Sequence, residues 1–298
     1  MKKLVSIIMP TYNRSKFISR AINSVIGQSY TNWELIIIDD NPPDSIARIE
    51  TEKIVNSYYD SRIKYIKNEN NLGGALTRNV GIFASKGDYI TFLDDDDMYL
   101  PLKIETQLLE MVNNSWDFCV MDGATYNQKD ELISTRNQKL RNNMTKEQLI
   151  KVNLIYHISG TNTFMYKAEF LKSIGGFEDI PSCQEYMLVQ KTLDANPIVG
   201  YINKILIKNY MHDGEQLSTG VRKLKGQKIM FENKKKYFYL LDKKERAGVV
   251  CRHHGVLFFV HYKMHNYSSA IKEAFKCFFS SPTYAFNWFM EYRKKITV

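Results

Sequence analysis

Long hydrophobic runs are missing from this 298-residue chain. A membrane-spanning helix needs about 20 apolar residues in succession. The longest candidates here, at 4–9 and 256–260, are strand-sized. The run at 4–9 follows Met1-Lys2-Lys3 but is too short for a secretory leader, and Pro10-Thr11-Tyr12-Asn13-Arg14 follows it instead of a small-residue cleavage site. The expectation is a first β-strand in a cytoplasmic protein. Cysteine is also scarce. Cys119, Cys183, Cys251 and Cys277 are scattered, without a Cys-x-x-Cys pair or a zinc spacing. That excludes a sequence-coded zinc module and leaves free thiols that serve as packing residues. Repeats and long low-complexity stretches are absent, and no RNA- or DNA-binding module is visible, so no nucleic-acid partner is expected.

What is present suits a globular protein. The hydrophobic fraction of 44% is enough for a full core, and the length fits one domain of about 200 residues plus a smaller piece. The net charge of +9 is unevenly spread. Residues 221–298 hold 17 Lys/Arg against 5 Asp/Glu, while residues 1–220 hold 24 against 27. A basic segment of this kind seeks an anionic partner. It also carries 16 of the 38 aromatic residues. Such a segment forms either helices lying on an anionic membrane or a helical subdomain packed on the rest of the chain or on a second copy.

The first 100 residues alternate between two periods. Apolar runs at 4–9 and 33–38, and the stretches 62–66 and 89–93, read as strands. Helical spacing follows the first three: residues 17–26 with Ser15 as N-cap, about 46–59, and 75–85. Strand–helix alternation predicts an α/β fold with a parallel sheet, whose ligands bind beyond the carboxyl ends of the strands. Three polar clusters stand at such ends: residues 10–14, Asp39-Asp40, and Asp94-Asp95-Asp96-Asp97. Further on, 102–112 and 184–193 read as helices. Residues 116–121 and 162–166 read as strands, 199–210 as one or two, and Pro282 as the opening of the last helix.

Four consecutive carboxylates repel one another. At about 5 Å and an effective dielectric near 20, each pair costs roughly 3 kcal/mol. A hard divalent cation, Mn²⁺ or Mg²⁺, relieves this, and Mg²⁺ takes one or two carboxylates and completes its shell with water and substrate phosphates. That chemistry fits a nucleotide diphosphate as leaving group.

Four motifs, in order and spacing, resemble the inverting family 2 glycosyltransferases over about residues 4–220. They are residues 6–14, 34–40, Arg78-Asn79-Val80-Gly81, and 87–97. The resemblance implies a GT-A-type mixed, mainly parallel sheet flanked by helices, with a C-terminal helical extension. Residues 1–220 would form the catalytic domain, with a nucleotide-sugar half at about 1–100 and an acceptor half at about 101–220, and 221–298 the basic helical region. It implies donor contacts from Pro10, Thr11, Tyr12, Arg14, Asp39, Asp40, Arg78, Asp94 and Asp95. Asp96 would be the main metal ligand, and His212 would complete the metal or diphosphate site. Glu185, in Gln184-Glu185-Tyr186, falls at the base position, with Glu178 and Asp179 as rivals. Gln184 departs from the family's usual first acid there.

The implied activity is metal-dependent transfer of a sugar from a nucleotide diphosphate sugar, with UDP expected, to a hydroxyl of a saccharide acceptor, lipid-linked acceptors included. The expected setting is bacterial-type surface polysaccharide synthesis at the inner face of the cell membrane, with homo-oligomers allowed. Two other classes stand beside it. A nucleotidyltransferase would carry a Gly-rich phosphate loop with a basic residue after the first strand, where Pro-Thr-Tyr-Asn-Arg stands here. A non-catalytic nucleotide-sugar-binding subunit is kept open by Gln184. His253, His254, His261 and His265 read as helix surface.

Overall fold

A computed structural model of the chain describes residues 2–211, 220–287 and 290. The N-terminal half is built as its periodicities predict. Strands β1 (Val5–Thr11), β2 (Trp33–Asp39), β3 (Ile63–Lys67) and β4 (Tyr89–Phe92) alternate with helices α1 (Ser15–Ile26), α2 (Ile46–Asn56) and α3 (Gly73–Ala84). Successive residues of β1 and β2 point to opposite faces of the sheet. Val5, Ile7, Met9, Leu35 and Ile37 enter one core with α1's Ile18, Ala21, Ile22 and Val25. Ile8, Ile36 and Ile38 enter the other with α3's Ala75 and Ile82. Both faces are thus covered, and β1 and β2 read as continuous apolar runs for that reason.

Ser15 is not the N-cap of α1. It is the first helical residue and donates from Oγ to Glu50 at 2.6 Å, while Arg14 occupies the cap position without a side-chain cap bond.

The second half adds β5 (Met98–Tyr99), α4 (Lys103–Asn113), β6 (Phe118–Tyr126), β7 (Leu132–Arg136), α5 (Lys146–Tyr156), β8 (Phe164–Lys167), α6 (Ala168–Ser173), α7 (Gln184–Asp194) and β9 (Val199–Tyr210). Among the described residues one sheet runs in the order β3-β2-β1-β4-β8-β6-β9-β5, with β7 paired to β6. Strands β1 to β4 are parallel, and β8 enters antiparallel to β4. Strand order reverses between β1 and β4, and the carboxyl ends of β1, β2 and β4 open there into a crevice.

The basic segment forms α8 (Gly220–Lys235), α9 (Lys243–Lys263) and α10 (Tyr267–Ser280), and helical structure resumes at Pro282. Leu241 and Val249 are part of the sheet's core, and Phe231, Tyr237 and Phe238 pack against it. His253 is buried, not on the helix surface: its ring stacks on Phe231 at 3.9 Å between centroids, and burial pulls its pKa down to about 3. Among the described residues no helix is long and apolar enough to cross a membrane.

Candidate active site

The crevice is a cavity of about 680 Å³. One side is formed by the strand ends. Pro10, Thr11, Tyr12, Arg14, Asp40, Arg78 and all four residues of the acidic run line it. Glu185 lines the same cavity, with Arg136, His157, Thr161, Arg222 and Lys223, and the Arg222 guanidinium comes within 3.5 Å of where a Cβ on Gly73 would stand. Glu178 and Asp179 do not reach the cavity. His212 lies outside the described residues.

The acidic run is divided among four tasks. Asp94 pairs with Arg78 of α3 at 2.6 Å. Arg14 bridges Asp95 at 3.3 Å and Asp96 at 2.7 Å. Arg20, stacked on the Tyr210 ring at 3.6 Å, donates to the Asp96 carbonyl. Asp97 is turned away from these cations. Its carboxylate accepts from Asn162 Nδ2 at 2.7 Å and from the Tyr210 backbone at 2.9 Å, and so ties the run to β9. Burial first, then the charge of Asp96, pushes the Asp95 carboxyl up to about 7 against the opposing pull of Arg14. Its Oδ2 is buried without a hydrogen-bond partner.

These features fit a divalent cation. A crowded, partly desolvated carboxylate pair with a spare oxygen gains from a positive charge. Among the described residues no three Asp, Glu, His or Cys groups converge on one point. The protein would therefore supply one or two ligands, with diphosphate oxygens and water supplying the rest, which is the coordination Mg²⁺ favours.

The two aspartates at the end of β2 divide differently from the sequence expectation. Asp40 borders the cavity, and its carboxylate accepts from the backbones of Leu72 and Gly73 at 2.8 Å each. It thereby fixes the start of α3, where Gly73 takes a φ of +77° that favours glycine. Asp39 does not line the cavity. It is fully buried, accepting from Asn41 at 2.8 Å and from Tyr65 and lying 3.4 Å from Arg48 Nε. These partners tie its carboxylate to the strand end.

The Arg78-Asn79-Val80-Gly81 motif gains a physical reading residue by residue. Arg78 meets the acidic run, and Asn79 binds the backbone of Phe177. A Cβ on Gly81 would lie 2.6 Å from both Ile8 and Ile38, so only glycine lets α3 sit this close to the sheet.

Glu185 stands in the first turn of α7. Its Oε1 accepts from Thr161 N at 3.0 Å and Thr161 Oγ1 at 2.5 Å, and its Oε2 from Gly160 N at 3.2 Å. Three donors hold the carboxylate in place, and it retains lone pairs for a further donor. Residue Gln184 donates to the Ile180 carbonyl at 3.0 Å, a local loop contact. Sequence reasoning missed the holders Gly160 and Thr161, and also His157, Arg136, Arg222 and Lys223. None stands in a motif, and each is brought in by an element from another part of the chain.

The architecture is that of a GT-A-type glycosyltransferase. A solved structure of S. aureus TarS with UDP-GlcNAc superposes with a TM-score of 0.66, covering 96% of this chain and 83% of that one at 17% identity, a likeness of fold. The sequence settles the family: the glycosyl transferase family 2 profile matches residues 6–175, and the chain belongs to that family. An uncharacterized glycosyltransferase of Rickettsia typhi is 31% identical over 225 residues, 74% of this chain and 68% of that one. The Escherichia coli UDP-Glc:alpha-D-GlcNAc-diphosphoundecaprenol beta-1,3-glucosyltransferase WfgD is 43% identical over 115 residues, which span 39% of this chain and 44% of WfgD.

Proposed function

We propose that the chain transfers a sugar from a UDP-sugar to a hydroxyl of a saccharide acceptor with inversion at the anomeric carbon. The observation that carries this reading is the shared cavity: a carboxylate held by three donors lines it together with the acidic run. Pro10, Thr11, Tyr12, Arg14, Asp40, Arg78, Asp94 and Asp95 bind the donor, with Asp39 supporting them from behind. Glu185 takes the proton of the acceptor hydroxyl as its oxygen attacks the anomeric carbon and the bond to the diphosphate breaks. Mn²⁺ or Mg²⁺, held through Asp96, would neutralise the departing diphosphate. His212 is assigned to the same site by the family resemblance alone. WfgD, by its name, acts on a diphosphoundecaprenol-linked sugar, which supports a lipid-linked acceptor and a role in surface polysaccharide synthesis at the cytoplasmic face of the membrane.

Exposed Ile271, Phe275, Phe278 and Phe279 on α10, within the basic segment, support peripheral contact with anionic lipid. Calorimetric titration with UDP, with and without Mn²⁺, tests the donor site. Metal-dependent binding that disappears in Asp96→Ala is the expected result. Absence of UDP binding under both conditions rejects the reading and favours a non-donor role for the fold.

A further inference from the structure

Two thiols in the basic segment take no part in the transfer chemistry. Cys251 of α9 and Cys277 of α10 are 26 positions apart in the chain, yet their sulfurs stand 2.7 Å apart. Both thiols are free. Both are also buried, 1% and 0% exposed, and Ala285 completes the cluster around them.

The two helices hold this meeting in register. One turn further along α9, His254 Nδ1 and Glu273 Oε2 meet at 2.6 Å. One turn back, a Cβ on Gly248 would lie 2.9 Å from the Tyr284 ring, so glycine admits that ring. As the numbers rise on α9 they fall on its partner, so the three contacts are successive rungs of an antiparallel packing. A bond between the sulfurs needs a short side-chain movement and no shift of either helix.

The two helices are anchored unequally. Val249 of α9 is part of the sheet's core, and Arg252 donates to the Ile155 carbonyl. The buried residues of α10 are Ala270, Glu273 and Cys277, while Ile271, Phe275, Phe278 and Phe279 are exposed. No large apolar side chain of α10 is buried, so hydrophobic burial holds this helix weakly. A covalent link adds most at such a place. The two sulfurs also differ in character. The hydrogen bond with Cys277, and then the charge of Arg252, pull the Cys251 thiol down against its burial, while Cys277 is pushed up. The thiolate is the nucleophile in disulfide exchange, which makes Cys251 the attacking sulfur.

We propose that Cys251 and Cys277 are a disulfide-forming modification site that clamps α10 to α9, with a low-molecular-weight disulfide as the oxidant. The Cys251 thiolate attacks one sulfur of the small disulfide, forming a mixed disulfide and releasing one small thiolate. The Cys277 thiolate then attacks the Cys251 sulfur and releases the second. The protein pair loses two electrons and two protons, and the small disulfide is reduced to two thiols.

The test uses the full chain, prepared reduced and then incubated with oxidised glutathione without denaturant. Alkylation of the remaining thiols, digestion and mass spectrometry follow. The expected result is loss of two of the four thiols and a peptide pair joined through Cys251 and Cys277. The urea midpoint of the oxidised protein should rise by roughly 1 M, and dithiothreitol should return it to its starting value. Cys277→Ser should remove both the cross-link and the rise, and the wild-type thiol count stands without that variant. Three results overturn the proposal: all four thiols remain after oxidation, glutathione adducts form without a bridge, or the bridge forms and the midpoint does not move. None of these results bears on UDP binding, so the proposal and the transfer reading fail separately.

Discussion

Asn79 holds the backbone of Phe177 at both polar atoms: its Nδ2 donates to the Phe177 carbonyl and its Oδ1 accepts from the Phe177 N–H, each at 2.8 Å. The two residues are 98 positions apart, one on α3 beside the acidic run and the other ahead of α7. Asn79→Ala leaves both backbone groups without their partner, and urea unfolding should show a loss of about 1–3 kcal/mol. Asn79→Asp keeps the acceptor and loses the donor, so its loss should be the smaller.

Replacing Glu185 by Gln preserves shape and removes the base. Transfer should fall about 10²- to 10⁴-fold, while calorimetry shows UDP affinity unchanged. Thr161→Val, which removes the 2.5 Å hydroxyl contact to Oε1, should lower the rate less and leave UDP binding as it was. Equal loss of UDP binding in Glu185→Gln would mark this carboxylate as part of the donor site.

The neighbours Asp96 and Asp97 should separate cleanly. Asp96→Asn should abolish metal-dependent UDP binding with little change in melting temperature. Asp97→Ala strips Asn162 and the Tyr210 N–H of their acceptor, and should cost about 1–3 kcal/mol of stability, read by urea unfolding. A similar stability loss in both variants would contradict this division.

Lys234 makes stability depend on pH. Burial, then the charge of Arg252, pulls its pKa from 10.5 to about 7. Between these values the unfolded chain holds a proton that the folded chain does not, so unfolding free energy rises with pH across that window. The slope from this group is at most about 1.4 kcal/mol per pH unit, and below pH 7 its contribution is flat at its lowest. Lys234→Met should flatten the rise measured by urea unfolding between pH 7 and 9.5. An unchanged slope would show that another group carries it.

Residues whose task is local were legible. The strands β1, β2 and β4 stand within a residue or two of their expected bounds because burial on both faces favours nearly continuous apolar runs, and β3, only half-buried, shows instead as a short stretch in which Ile63, Tyr65 and Ile66 alternate with Arg62 and Lys64. The acidic run and Glu185 stood in recognisable motifs, and the structure gathers them in one cavity. Other features depend on partners the sequence does not display. Asp39 and Asp40 look equivalent as a pair, and only Arg48 and Tyr65 make Asp39 an internal brace. Strand β7 has no apolar alternation because all five of its residues are exposed. Helix α5 carries a local signal of its own, the Thr145 and Gln148 capping box. The buried position of His253 follows from a ring on a different helix.

The makeup of the cavity lining has an evolutionary consequence. The cavity's lining from Pro10 to Thr161 is written in the family's shared segment, and the lining from Pro181 onward, Arg222, Lys223, Gln227 and Met230 of α8 included, in residues outside it. Selection can therefore reshape that part of the lining without altering the strand ends that border it.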